Sequence, residues 1–398
     1  MAYTQGTLNQ ATKKLWDGLL HEAVISKDPF QGMEGEDKGG ESSLKAEVAN
    51  KPFVRKTQLG KESGDQITMG LVANVGDGAT WYNEGKAANE TLAGSEDTLA
   101  FYNAKVKVAH YRKGVQVTGK NTVQRSPYQL LSVAKERVAA SLARHLTRSR
   151  FFAFYNKVSP NVVRELGSTA ANPQLSVNNV YGHDKASIAT MDATDIVDFD
   201  MIERLRVAVE ESNINPIVLE GERTHLFLVH PRGGKTLRAD SAWKDAQQGA
   251  APRSEANAMF RNYIGFAAGI YVKESNDIET AKNVASTSGG TAGDITGWDA
   301  ATVVFGAATD YRMNLLIGAN AMCRAIALES YLARRKDDDY ENLYGFGGGL
   351  IYGDYRSDYF LNADTGTDGT RVNQSSAVVY SYSPNVNSNF SFTTPAGS

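Results

Sequence analysis

The sequence predicts an α+β fold in which one long helix is set among β-rich segments. Residues 127–157 form a helical pattern of apolar and basic residues that contains no glycine and no proline after Pro127. Residues 104–109 alternate apolar and polar side chains, which is typical of a strand with one buried face. Residues 340–360 are rich in tyrosine and glycine and also indicate β structure.

Composition limits the class of protein. The chain has 398 residues and a formal net charge of −3, so it can build a sizeable core. No apolar run approaches the roughly 18 residues that a membrane-spanning helix needs, and the N-terminus lacks the apolar core of a signal peptide. Cys323 is the only cysteine, which excludes an intrachain disulfide. The near-neutral charge argues against a dedicated nucleic-acid-binding protein, which usually carries a basic surplus.

The N-terminal segment indicates an arm. Residues 7–21 have the apolar spacing of a short helix, and residues 27–43 are polar and rich in glycine. A helix followed by a long polar stretch has no core of its own. We therefore expect residues 1–55 to need a partner surface in order to be ordered.

A long hairpin is expected after the arm. Strand patterns at residues 66–73 and 104–109 flank a polar, turn-rich stretch at residues 76–97, which contains Trp81 and Tyr82. This arrangement predicts a protruding hairpin. An ordinary surface hairpin is an equally compatible interpretation of that stretch alone.

The long helix has two distinct faces. Ser126 is a suitable N-cap and Pro127 suits the first helical position. A helix over residues 127–157 would be roughly 45 Å long at 1.5 Å per residue. Its apolar stripe comprises Leu131, Ala134, Val138, Leu142 and His145, and its basic face comprises Arg137, Arg144 and Arg148.

The C-terminal half predicts short helices and strands. A helix is expected to be capped by Asp198 or Asp200 and to end near residue 213. The further expected elements are a buried strand at 224–229, a helix at 236–247, a strand at 264–272 bent at Gly265 or Gly269, a strand followed by a helix at 313–327, and a strand at 377–382. Cys323 is expected on that last helix as a packed core thiol.

Residues 226–237, LFLVHPRGGKTL, suggest a phosphate-binding loop, because such loops begin with a strand that runs into Gly-Lys-Thr. The full pattern requires a glycine where Val229 stands. Pro231 also lacks one of the N–H groups that would face phosphate. We therefore interpret the segment as a buried strand that turns sharply at Pro231, where the two glycines relax the turn.

No other motif indicates catalysis, a cofactor or a metal. The glycine cluster at residues 345–349 is followed by Leu350 where the dinucleotide-binding pattern needs glycine, so close backbone packing or a bulged strand is expected there. His225 and His230 would point to opposite faces of a strand. The sequence predicts no catalytic residue, no cofactor-binding residue and no metal ligand.

The order of several segments is typical of one family. Residues 80–85 (TWYNEG) lie in the long hairpin, a strand at 106–117 precedes the long helix, and the strand ending at His230-Pro231-Arg232 follows. This order resembles that of tailed-bacteriophage major capsid proteins, whose fold is shared with the herpesvirus capsid floor and encapsulin shells. In that family the hairpin carries a tryptophan–x–x–glutamate–glycine turn, and the long helix is the spine of a peripheral domain.

Later segments extend the resemblance. Residues 237–240 and Trp243 are similar to the short helix of the family's axial domain. Residues 263–266 (YIGF) stand where the family has a leucine–glycine–tyrosine–proline–valine strand, but they lack its proline. Residues 315–321 and 339–353 are similar to the closing segment of a podophage-like subgroup.

The resemblance implies a division of the chain into five parts. These are an N-terminal arm (1–55), an extended loop (56–104), a peripheral domain with the spine helix (105–197), an axial domain (198–335), and a return to the peripheral domain with a C-terminal tail (336–398).

The resemblance also implies function. It predicts a structural protein, not an enzyme, that self-assembles through pentamers and hexamers into an icosahedral shell around double-stranded DNA, in the host bacterial cytoplasm. The implied partners are a portal protein, decoration proteins in some relatives, weakly and non-specifically held DNA, and no membrane. A separate scaffolding protein is expected because no long, charged helical segment precedes the arm. Inter-subunit contacts are expected from Trp16, Trp81, Tyr82, Glu84, Lys86, Arg144 and Arg148.

Two alternatives remain open. An encapsulin-type shell shares the fold but encloses enzymes rather than a genome. A nucleotide-dependent enzyme would use Gly233, Gly234, Lys235 and Thr236 as its phosphate loop.

Overall fold

The computed structural model places the described residues in four helices and three sheets. It describes residues 30, 32–37, 50–57, 66–72, 101–117, 130–155, 179–183, 185, 190–212, 214–219, 221–249, 263–278, 280–281, 311–334, 344–360, 371–373 and 375–383. Within this part of the chain, no helix has both the length and the apolar character to cross a membrane.

The helices are α1 (Leu130–Phe154), α2 (Phe199–Glu211), α3 (Pro231–Ala239) and α4 (Ser241–Gly249). The strands are β1 (Glu34–Asp37), β2 (Phe53–Lys56), β3 (Gln66–Val72), β4 (Phe101–Lys107), β5 (Ala109–Val117), β6 (Asn179–Tyr181), β7 (Ile217–Leu219), β8 (Glu222–Val229), β9 (Tyr263–Ala267), β10 (Ile270–Glu274), β11 (Thr280–Ala281), β12 (Tyr311–Ile317), β13 (Met322–Arg334), β14 (Tyr344–Arg356), β15 (Tyr359–Phe360), β16 (Arg371–Val372) and β17 (Ser376–Tyr382).

Each sheet draws strands from distant parts of the chain. The first sheet has the order β1-β2-β13-β14-β5, and the second has the order β6-β17-β12-β8-β10-β9, with β11 on β12 and β7 on β8. The third sheet has the order β16-β15-β4-β3. Its β3 and β4 pair antiparallel from Gln66–Lys107 to Val72–Phe101. These are the flanking strands of the predicted hairpin, whose residues 76–97 lie outside the described part.

Helix α1 packs on the first sheet through its predicted apolar stripe. Ala134, Val138 and Leu142 are buried against Leu350 and Tyr352 of β14. Gly348 lies directly beneath the helix, where a Cβ would come within 3.0 Å of both Val138 and Leu142. The predicted close packing at the glycine cluster is therefore present. The predicted N-terminal turn, with Ser126 and Pro127, lies outside the described residues.

The second sheet is buried on both faces. Along β8, Leu226 and Leu228 pack in one apolar cluster with the C-terminal end of α1. Phe227 and Val229 pack in another cluster with α2, α3 and α4. Side chains alternate between the two faces of a strand. Because both faces of β8 are covered, its sequence from Leu226 to Val229 is a continuous apolar run.

Helix α2 begins where the sequence predicted. Asp198 is its N-cap and accepts a hydrogen bond from the Met201 backbone N–H at 2.9 Å. Met201 and Leu205 face the second sheet and are buried. The C-cap is Ser212, next to the predicted end.

The predicted sharp turn at Pro231 is wrong, because α3 starts there. His230 is the N-cap, and its side chain accepts a hydrogen bond from the Arg232 N–H at 3.2 Å. Proline suits the first helical position because its fixed φ matches the helix and its missing N–H has no intrahelical role. The predicted helix at 236–247 is two helices, broken at Asp240, whose carboxylate accepts from the backbone N–H groups of Phe199 and Ala242.

Two further predictions are corrected by strand pairing. The single bent strand expected at 264–272 is a hairpin of β9 and β10, and its turn residues Ala268 and Gly269 have φ of 50° and 76°, as a tight hairpin turn requires.

The helix expected after residue 317 is strand β13. Cys323 is buried there, as expected, but in a strand. Short apolar runs buried on both sides do not distinguish strand from helix.

The arm is partly folded against its own chain. Strand β1 pairs parallel with β2, which pairs parallel with β13. Phe30 and Met33 are buried in the cluster that contains Phe151 and Phe154 of α1. Phe30 and Met33 thus have core contacts that the composition of the arm did not predict, while the helix expected at 7–21 lies outside the described residues.

A four-residue corner joins the second sheet to the first. Between β12 and β13, the N–H groups of Gly318, Ala319, Asn320 and Ala321 donate to the carbonyls of Ser375, Asn215, Lys51 and Pro52, at 2.8 to 2.9 Å. Asn320 adopts a φ of 54°. The four N–H groups of the corner are therefore bound to three other segments of the chain.

The glycines of β14 allow a direct test of this packing. A Cβ at Gly353 would overlap the backbone carbonyl oxygen of Lys107, whereas the nearest atoms to a Cβ at Gly347 are 3.9 Å away. Gly353→Ala should lower the free energy of unfolding by about 2–3 kcal/mol, because the backbone cannot move aside freely. Gly347→Ala on the same strand should change it by less than about 0.5 kcal/mol. Urea denaturation of the unassembled subunit measures both, and equal values would contradict this packing.

Candidate assembly surface

The strand-to-helix junction at residues 229–231 leaves no phosphate loop. Only His230 separates β8 from α3, and Gly233 and Gly234 are buried inside the helix. A Cβ on Gly234 would overlap the carboxylate of Glu274, so a negative charge lies beside the glycine pair. Thr236 donates its hydroxyl hydrogen bond to the carbonyls of Val197 and Gly233. Lys235 is exposed.

The described residues do not form a cluster of metal ligands. No three or more histidine, cysteine, aspartate or glutamate side chains among them are arranged to hold a metal ion. His225 is buried, its Nε2 lies 3.2 Å from the Ile214 carbonyl, and burial lowers its pKa. We therefore interpret His225 as a core side chain that is hydrogen-bonded to the backbone.

One face of α1 is basic and exposed. Arg137, Arg144 and Arg148 are all exposed, as the periodicity predicted, and they are the only residues from 137 to 148 in that state. Arg148 lies 3.8 Å from Asp277. No carboxylate in the described ranges lies within ion-pair distance of Arg137 or Arg144.

The opposite side of α1 carries buried charge. Arg150 is 1% exposed and forms an ion pair with Glu34 of β1. Its guanidinium also lies over the rings of Phe30 and Phe53, at 5.2 and 5.1 Å from their centroids. A buried cation needs a counter-ion and favourable ring contacts to offset its lost hydration. Strand β1 supplies both, and the arm is thereby attached to the helix.

Arg324 of β13 forms a second buried pair. Its Nε and Nη2 donate to the two carboxylate oxygens of Asp354 at 2.7 and 2.8 Å. Nη2 also donates to the Leu146 carbonyl of α1 at 2.8 Å, and Glu34 lies 3.8 Å away. The fork geometry of a bidentate arginine fixes direction as well as distance. It therefore sets the position of α1 over the first sheet.

A third arginine binds the end of α1. Arg356 donates to the Phe154 carbonyl at 2.6 Å and pairs with Asp358. Asn373 donates to the other carboxylate oxygen of Asp358 at 2.6 Å. Carbonyls in the last turn of a helix have no intrahelical partner and carry partial negative charge. Arg356 satisfies one of them.

The predicted contact residues divide into two groups. Trp16, Trp81, Tyr82, Glu84 and Lys86 lie outside the described residues. Arg144 and Arg148 lie on the basic face of α1. Their inter-subunit role stays a prediction.

The buried arginines were missed by the sequence analysis. Arg324 stands in an apolar run, where a charged residue must be paired if the run is buried. That is a usable signal for burial, but its carboxylate comes from the next strand, so Asp354 could be named only once β13 and β14 were known to pair. Arg356 lies among polar residues, with Asp358 two residues further on, and no local pattern marks it as buried.

The sequence identifies the family of the protein. The sequence matches the phage capsid protein family over residues 20–385, and the protein belongs to that family. No curated protein sequence matches the chain significantly. The predicted recognition, the α+β capsid fold and the structural role in a capsid shell are confirmed.

Solved capsid structures share the fold. The chain is similar to the capsid of Ralstonia phage GP4 with 18% identity, covering 89% of this chain and 97% of that chain at a TM-score of 0.65. For the Cyanophage Pam1 capsid the identity is 17%, with 87% and 96% covered and a TM-score of 0.60. For the capsid of Helicobacter pylori bacteriophage KHP30 the identity is 11%, with 89% and 91% covered and a TM-score of 0.59.

Removal of a buried carboxylate tests the helix-fixing pair. Asp354 is 0% exposed, so Asp354→Ala leaves Arg324 buried without its main counter-ion and should cost about 3–5 kcal/mol of unfolding free energy. The control is Glu210→Ala, which removes the pair between the exposed Glu210 and the half-buried Arg206 of α2 and should cost about 0.5 kcal/mol or less. Denaturant titration of both subunits would contradict this assignment if the two losses were alike.

A second test concerns acid stability. Hydrogen bonds from the Thr194 side chain and backbone, and then Lys185, lower the pKa of Asp192 to about 2. The unfolded pKa is about 3.9, so the carboxylate stabilises the fold above about pH 4 and stops doing so as pH falls towards 2. Asp192→Asn should melt below the wild type at pH 7, and this gap should close between pH 4 and 2. A gap that persists at pH 2 would refute the assignment.

Proposed function

We propose that copies of the chain close through rings of five and six into an icosahedral shell that encloses double-stranded DNA. The main support is the position of α1. Its 25 residues extend about 37 Å. They pack on the first sheet through Val138 and Leu142 and on the second sheet's cluster through Phe151 and Phe154. One rigid element thus joins both sheets into a single building unit.

Rigidity matters because closed rings depend on a repeated angle. Heterologous contacts form a ring only when the rotation between neighbours closes, and otherwise they form open filaments. The arginine contacts to the Leu146 and Phe154 carbonyls hold α1 at one orientation. A subunit of this kind can repeat the same contact many times.

The partners form part of the same proposal. We assign inter-subunit contact to Trp16, Trp81, Tyr82, Glu84 and Lys86, in the arm (1–55) and the extended loop (56–104). Assembly takes place in the bacterial cytoplasm with a separate scaffolding protein and a portal protein. Membership of the phage capsid protein family supports this assignment.

The contact role of Trp81 can be separated from folding by a second tryptophan. Trp81→Ala should leave the melting temperature of the subunit unchanged but prevent shell formation, because it removes an intermolecular anchor. The control is Trp243→Ala: Trp243 is buried in the core with α2, and its loss should cost about 3–5 kcal/mol of unfolding free energy. The readouts are thermal melting and negative-stain electron microscopy after co-expression with the phage's scaffolding protein.

The contents of purified particles distinguish a shell that encloses DNA from an encapsulin-type shell that encloses enzymes. Nuclease-treated particles from infected cells should retain protected DNA. Enclosed enzyme without DNA would favour an encapsulin-type shell instead. Wild-type subunits that stay monomeric with the scaffolding protein would overturn the proposal.

A further inference from the structure

The basic face of α1 has a linear geometry. Arg137, Arg144 and Arg148 are separated by seven and four residues, which is about two turns and one turn of helix. They therefore lie within roughly 40° around the axis and span about 16 Å along it. All three are exposed, and the chain as a whole carries a net charge of −3. This stripe is a local positive surface on an acidic protein.

A lysine lies on the same side of the first sheet as α1. Tyr111 and Val115 of β5 pack towards α1, and the Tyr111 ring stacks on His145 with centroids 3.5 Å apart. Because side chains alternate along a strand, Lys113 lies on that side of the sheet too, and it is exposed. Lys113 adds a positive charge to the helix side of the sheet, but the stripe itself consists of the three arginines.

Acidic neighbours only partly neutralise this surface. Asp277 lies 3.8 Å from Arg148, but Arg312 lines the same cleft, which has a volume of about 230 Å³. Glu136 is exposed on α1, about 100° around the axis from Arg137. The remaining positive charge of the stripe favours binding of an anion from outside the subunit.

The stripe lacks the features of a protein-docking site. Stable protein interfaces have a desolvated centre with aromatic or apolar anchors. Between residues 137 and 148, the exposed side chains of α1 are the three arginines alone. A row of guanidinium groups without an apolar centre suits a linear polyanion. A DNA duplex presents one negative charge per about 1.7 Å of axis, so its phosphates can reach all three arginines in any sequence.

We propose that the stripe of Arg137, Arg144 and Arg148 contacts the phosphate backbone of packaged DNA, and that this face of α1 lines the inside of the shell. The inference rests on the proposed function, namely that the shell encloses DNA. It reassigns Arg144 and Arg148 from the inter-subunit role expected from the sequence. The contact is independent of base sequence and sensitive to salt.

The test uses the unassembled full-length subunit and a fluorescein-labelled 30-base-pair duplex of random sequence. Three phosphate contacts give a slope of log K against log salt of about −2.7, or about a 40-fold weakening from 50 to 200 mM NaCl. The variant Arg137→Gln/Arg144→Gln/Arg148→Gln should lose this contribution, so that its slope is about 2.7 units shallower than that of the wild type. Fluorescence anisotropy measures both.

Two controls isolate the stripe. Arg204→Gln/Arg206→Gln/Arg238→Gln makes the same charge change on α2 and α3 and should keep the wild-type slope. Arg137→Lys/Arg144→Lys/Arg148→Lys should also keep it, because a phosphate contact of this kind requires charge rather than fork geometry. A stripe variant with the wild-type slope, or a lysine variant without it, overturns the inference.

Assembly is scored separately on the same variants. A glutamine stripe variant that assembles into shells of normal size supports the inference, whereas one that loses assembly but keeps its DNA slope identifies a contact between copies and overturns it. Wild-type particles without protected DNA would overturn the proposed function and the packaged duplex as ligand together. Particles with DNA and an unchanged slope overturn the stripe's role alone.

Discussion

The orientation of α1 depends on arginines that bind its main chain from beneath. Arg324 and Arg356 come from adjacent strands of the first sheet, and each donates to a carbonyl of the helix while pairing with a carboxylate. Taking such charges out of water is costly, and only accurate geometry offsets the cost. A small rotation of the helix would break the carbonyl contact and leave a buried cation poorly satisfied. Apolar packing alone would tolerate more sliding.

The arm belongs to the same arrangement. Glu34 lies beside both Arg150 and Arg324, so one carboxylate on a four-residue edge strand serves two buried cations. The aromatic side chains of Phe30 and Phe53 complete the surroundings of Arg150. The arm is polar in composition and was expected to lack a core of its own. Its Glu34 is nevertheless needed to neutralise the buried arginines of α1 and β13.

Patterns within a single element were predictable. The apolar stripe of α1, the Asp198 cap and the strand at 224–229 depend on local periodicity and capping chemistry, and the structure has all three. Strand β13 was not predictable from the sequence. Met322, Cys323 and Ala325 lie on both faces of the strand and are all buried, so apolar and polar residues do not alternate there. The Arg150–Glu34 and Arg324–Asp354 pairs depend on register between segments, which no local pattern encodes. The family resemblance rested on the order of elements, and that order was sufficient.

The corner at residues 318–321 has a consequence for shell curvature. Its four N–H groups are bound to the arm, to the segment after α2 and to the start of β17, so the angle between the first and second sheets is held from three directions. A subunit braced in this way cannot flex at the corner to suit the rings of five and six that we propose for the shell. In such a shell, the difference in bend between fivefold and sixfold positions must be absorbed where neighbouring subunits meet.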